Sequence, residues 1–140
     1  MEINYLAVLV CGIIAMALGA VWYGPMFGKK WREIICADEL DMARREEMMK
    51  GVWKLYLTNF ILVLFQAYVL AYAINATAMD VEGGVQIALW VWAAFIMPTI
   101  AAGSMWNNDS AKISWARFLI QSGYQVVLFI VFGLILSIWR

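Results

Sequence analysis

Apolar positions along the chain gather into four long blocks, 3–28, 55–79, 83–108 and 118–139, and none of them contains a charged residue. A charge-free, mostly apolar run of about 20 residues is what a helix needs to cross a hydrocarbon core of ~30 Å at 1.5 Å per residue. The pattern predicts four transmembrane helices, at about 4–24, 53–76, 84–105 and 115–138, in an all-α polytopic fold that makes one membrane domain of residues 1–140.

The one sizeable polar stretch, Pro25 to Lys54, reads as helix from about Asp38. Asp38 is placed to cap it, and Asp41 before Arg45 and Glu46 before Lys50 give acid-first pairs four residues apart. Met49, Val52, Trp53 and Tyr56 continue on one side at helical spacing. This amphipathic connector either lies on the membrane surface or runs into the second span with a bend near Gly51. Arg44 and Arg45 offer a docking face for a partner or anionic lipid, although neighbouring acids nearly cancel their charge.

Overall charge is balanced, ten basic residues against ten acidic, but its distribution is not. Lys29, Lys30, Arg32, Arg44, Arg45, Lys50 and Lys54 fall in the first connector, Lys112 and Arg117 in the third, and only Arg140 at the other end. The positive-inside rule puts both basic connectors in the cytoplasm and both termini outside. Met1-Glu2-Ile3-Asn4 lacks the positive charge that opens a secretory signal, so the first span is expected to be retained.

Ala7, Cys11, Ala15 and Gly19 form a stripe of small residues at four-residue spacing, a face for close helix packing either within the chain or between copies. Polar residues inside spans are costly unless paired, which draws attention to Asn59 and Gln66 in the second span and Gln121, Tyr124 and Gln125 in the fourth. Spacing puts Asn59 level with Gln121 and Gln66 level with Gln125. Mutual amide hydrogen bonds across the bundle are one reading, and a polar path for a small solute is the other. Pro98 should bend the third span by denying the Ala94 carbonyl its helical donor. Trp90 and Trp92 point to different faces there, as lipid-facing filler or as contacts for a quinone, pigment or drug-like ligand.

Several chemistries have no residues to carry them. With 65% hydrophobic residues the chain has no soluble module, and with no histidine it has no imidazole for haem or metal. Cys11 and Cys36, at different depths, are expected to stay reduced and make a poor metal site. No acid or base lies deep in a span, and there is no nucleophile–base pair, phosphate loop or basic stripe for nucleic acid. The expectation is a protein that is not an enzyme and takes no cofactor or metal.

Gly19-Ala20-Val21-Trp22-Tyr23-Gly24-Pro25-Met26-Phe27-Gly28-Lys29-Lys30-Trp31 resembles the signature Trp-Tyr-small-Pro, Phe-Gly-Lys, Trp of the bacterial membrane family called domain of unknown function 1761. Ser122-Gly123-Tyr124, followed by an apolar run with Gly133, is similar to that family's closing segment, and the third connector, Trp106-Asn107-Asn108-Asp109, departs from it. The resemblance implies a four-span fold in a bacterial inner membrane and brings no catalytic residues. Read physically, the first motif is a membrane exit: Trp22 and Tyr23 anchor at the interface with Trp31, Trp53, Trp106 and Trp115, Pro25 ends the helix, Gly24 and Gly28 allow a turn, and Lys29 and Lys30 meet phosphates.

These features together read as an accessory or interaction subunit of a larger inner-membrane assembly, in contact with the lipid bilayer and with another membrane protein or a second copy of itself. The alternative is a homo-oligomeric transporter or channel for a small neutral or weakly polar solute, lined by Asn59, Gln66, Gln121 and Gln125.

Overall fold

Asn4 turns its side-chain carbonyl onto the backbone N–H groups of Leu6 and Ala7, at 3.1 and 3.2 Å, and the first helix starts there. In the computed structural model, which describes residues 2–35 and 41–140, α1 (Tyr5–Val21) passes without a break into a wider π-turn, Trp22–Met26. Then follow α2 (Gly28–Ile34), α3 (Met42–Met49), α4 (Val52–Thr77), α5 (Val81–Val91), a second π-turn (Trp92–Ile96), α6 (Met97–Met105) and α7 (Ala111–Ile138). No strand occurs among the described residues. Counting each π-turn with its neighbours, four helices are long and apolar enough to cross a membrane: Tyr5–Met26, Val52–Thr77, Val81–Met105 and Ala111–Ile138. The all-α, four-span architecture expected from the charge-free blocks is the architecture of the chain.

The connector between the first two spans carries the expected helix. Cys36 and the proposed cap Asp38 lie outside the described residues. Asp41 caps α3, accepting from the Arg44 N–H at 2.8 Å. The break falls at Gly51, whose φ of 77° is the left-handed conformation that side chains resist. Gly51→Ala is therefore expected to cost about 1 kcal/mol, read as a lower midpoint of thermal unfolding in detergent.

Each proline has a π-turn beside or around it: Pro25 lies inside the first, and Pro98 follows two residues after the end of the second. Pro98 has no N–H to give, and the third span widens one turn earlier, where the Met97 N–H reaches back to the Trp92 carbonyl. Pro25 was expected to end the first span; it lies inside the first π-turn, and the chain stays helical to Met26, with the Phe27 N–H bonded to the Trp22 carbonyl at 2.9 Å. The wider turn lets a proline remain within a helix that an α-helical register would have closed.

In the bundle, α7 touches every other span, α1 packs against both α4 and α7, and the third span lies along α7. Ala7, Cys11 and Ala15 are covered completely, so the small-residue stripe is used within the chain. Gly12 belongs to that contact too, since a Cβ there would come 2.6 Å from Leu64 Cδ2. Between α5 and α7 the approach is closer still. A Cβ on Gly133 would stand 3.0 Å from Val85 Cα and 3.1 Å from Ala88 Cβ, and one on Gly84 would collide with Ser137 Oγ. At the same end Arg140 donates to the carbonyls of Ala78 and Asp80, at 2.9 and 3.2 Å, and ties the chain's last residue to the α4–α5 connector.

Candidate functional site

Two aromatic side chains lock α1 to α7. Trp22 Nε1 donates to the Ile120 carbonyl at 2.9 Å, and Tyr124 Oη donates in the opposite direction to the Ala15 carbonyl at 2.8 Å. Each ring sits against a glycine of the facing helix. A Cβ on Gly123 would come 3.0 Å from Trp22 Cζ2, and one on Gly19 would come 3.4 Å from Tyr124 Oη. Around this crossed pair the rings form a cluster: Trp22 with Phe27 at 4.9 Å between centroids, Tyr23 with Tyr124 at 5.5 Å, and Tyr23 with Trp31 at 4.9 Å.

This corrects the picture of the motif as an interfacial anchor. Trp22, Tyr23, Phe27 and Trp31 are half-buried, because an indole N–H with a helix carbonyl and a glycine seat within reach gains more there than at a headgroup. Trp53, Trp106 and Trp115 remain exposed, as belt residues should be. Lys30 is paired with Glu33 at 3.1 Å along α2, and Lys29 is exposed. Of the two glycines assigned to the turn only Gly28 has a steric reason, a Cβ there falling 2.8 Å from the Tyr23 carbonyl; nothing lies within 4 Å at Gly24.

Beside the clamp is an open cleft of about 630 Å³. Ala15, Gly19 and Tyr23 wall it on the first span, Tyr56 and Asn59 on α4, Ile100 on α6, and Gln121, Tyr124 and Gln125 on α7. It exists because α5 packs against α4 as well as α7, whereas α6 packs on α7. Among the described residues, no charged one lines it.

Three of the four amides singled out from the sequence meet at this cleft, but they do not bond to one another. Asn59 Nδ2 lies 3.7 Å from Met16 Sδ, Gln121 has no hydrogen-bond partner among the described residues, and Gln125 Oε1 is buried without one. The expected pairs Asn59–Gln121 and Gln66–Gln125 are therefore not formed; the first pair faces a shared cavity instead. Gln66 lines a separate groove of about 190 Å³ with Phe65, Val69 and Phe129. Tyr56 and Ile100 were not anticipated as wall residues, and Trp90 and Trp92 line neither cavity.

Over residues 6–137 the chain matches the family described as Protein of unknown function (DUF1761). The chain belongs to that family. No curated protein and no solved structure matches it. In this DUF1761 protein the two segments that carry the resemblance, Gly19 to Trp31 and Ser122-Gly123-Tyr124, come together in space, since they supply both rings and both glycine seats of the clamp. Gly103, Trp106 and Trp115, which repeat the spacing of Gly19, Trp22 and Trp31, have no such role: both tryptophans are exposed, and nothing lies within 4 Å of a Cβ on Gly103.

Proposed function

We propose that this DUF1761 protein is a non-enzymatic membrane protein that takes up a neutral, weakly polar solute in the cleft between the first span, α4, α6 and α7 and moves it through the bilayer. Gln125 carries the reading. A buried amide oxygen without a donor costs about 1–3 kcal/mol; Gln125 is a wall residue of the open cavity whose amide oxygen is buried without a donor, and a turn of its side chain into the cavity would let a solute's O–H or N–H satisfy it. A lining without any charge disfavours ions, which would enter unpaired. With the small-residue stripe of Ala7, Cys11 and Ala15 consumed internally, an accessory role has lost its best docking surface; the wholly exposed α3 is what such a role would have left to use. We assign the protein to a bacterial inner membrane, with the basic connectors and the mouth of the cleft facing the cytoplasm and both termini outside, on the strength of the positive-inside rule and the family resemblance.

Uptake into vesicles containing the purified protein tests this, using uncharged solutes that run from glycerol to its long-chain esters. Joint replacement of Gln121 and Gln125 by leucine should lower flux at least tenfold while leaving the thermal midpoint within a few degrees of the parent. Undiminished flux in that variant would remove the cleft as the path. Flux should also change less than twofold between pH 5 and pH 8, because the chain has no histidine and no acid or amine among the described residues lines the cavity.

A further inference from the structure

Past Gln125 lies the separate groove lined by Gln66. Along the same seam between α4, α7 and the third span, the second cavity follows within one or two helical turns on every wall: from Gln125 to Phe129 on α7, from Ile100 to Ile96 on the third span, and from Asn59 to Gln66 on α4. The two compartments differ in chemistry. The first is lined by the amides of Asn59, Gln121 and Gln125 and by three tyrosines, whereas the second is hydrocarbon and aromatic except for Gln66. Gln66 and Gln125 each stand 14 residues into their helices, which puts both at about 21 Å from the basic end, at the junction of the two compartments.

We propose that cleft and groove form one elongated site for a single-tailed amphiphile with an uncharged head, the head bonded by Gln121 and Gln125 and the tail lying against Phe65 and Phe129. This rests on the cleft being a solute site. A charged head is disfavoured because no charged residue among the described ones lines either cavity. A head alone, such as glycerol, leaves most of the larger cavity unfilled and its apolar wall uncovered. The tail gains little by exchanging lipid for protein; its contribution is to hold the molecule in the membrane, at the depth where the head meets Gln125 and an ester carbonyl meets the Gln66 amide, and so to raise the local concentration of the head.

The test is equilibrium binding of 1-monooleoylglycerol, its short-chain counterpart monobutyrin, oleate and glycerol to the protein in phosphatidylcholine nanodiscs. Monooleoylglycerol should bind saturably, one per protein, with oleate and glycerol at least tenfold weaker. Gln125→Leu should weaken monooleoylglycerol at least tenfold. Ala73→Phe, which fills the groove, should weaken it at least fivefold and leave monobutyrin unchanged; Val69→Trp at the groove's rim should do the same if Ala73→Phe does not fold. Monobutyrin binding as tightly as monooleoylglycerol, with the groove variants changing neither, would overturn the elongated site and leave the cleft standing. Equal binding of oleate would overturn the uncharged head, and failure of the whole series to bind would overturn the cleft as well.

Discussion

Replacing Gly133 by leucine will detach the third span from α7. The obstacles to a side chain there are Val85 Cα at 3.0 Å and the Gly84 carbonyl oxygen at 3.3 Å, both backbone atoms that no rotamer change can move aside. The two helices must separate, and with them go the contacts that Ala88 makes with the core. Overpacking of this kind costs typically 1–3 kcal/mol, and with a rigid obstacle we expect about 3 kcal/mol. Unfolding in a detergent titration reads the change, and Gly84→Leu should match it from the other side of the contact. Gly103→Leu is the control, since nothing lies within 4 Å of its Cβ. An unchanged midpoint for Gly133→Leu would mean that this contact does not hold the bundle.

Trp22→Ala should have the next largest effect, about 2–3 kcal/mol. It removes the ring seated on Gly123, the bond to the Ile120 carbonyl and the tilted ring contact with Phe27. Trp22→Phe keeps an aromatic ring and loses mainly the hydrogen bond, a change of about 1 kcal/mol. Tyr124→Phe should cost a similar amount by freeing the Ala15 carbonyl. Because the two bonds hold the same pair of helices from opposite sides, the double variant Trp22→Phe with Tyr124→Phe should depart from the sum of its parts by at least 0.5 kcal/mol. Strict additivity would show two independent contacts in place of one clamp.

The four spans could be read from sequence because a membrane imposes a single demand, length without charge, that needs no knowledge of neighbours. The stripe of Ala7, Cys11 and Ala15 was legible for a similar reason, since small residues at helical spacing mark a close contact whatever the partner. Partners themselves were not legible. Gln66 and Gln125 do stand at the same distance along their helices, but periodicity gives a direction and a depth, not what faces them, and one lines the groove and the other the cleft. Trp22 misled for a related reason. Next to Lys29 and Lys30 a tryptophan looks like a headgroup anchor, and only Gly123 and the Ile120 carbonyl, far along the chain, reveal a ring turned inward. Pro25 and Pro98 were correctly seen as disturbances, yet a π-turn is a matter of backbone register that side-chain pattern does not encode.

Because α7 comes after the other spans in the chain and touches all of them, the bundle has no finished core during most of its synthesis. α1 and α4 are able to pair as soon as both are inserted, with Gly12 under Leu64, and Gly84 can already meet Ile74 of α4, but the seam that Gly84 and Ala88 form with α7 stays open until residues 111–138 arrive. A ribosome that stops early therefore leaves three helices with an open seam, the form of this protein that membrane proteases and insertion chaperones are built to meet.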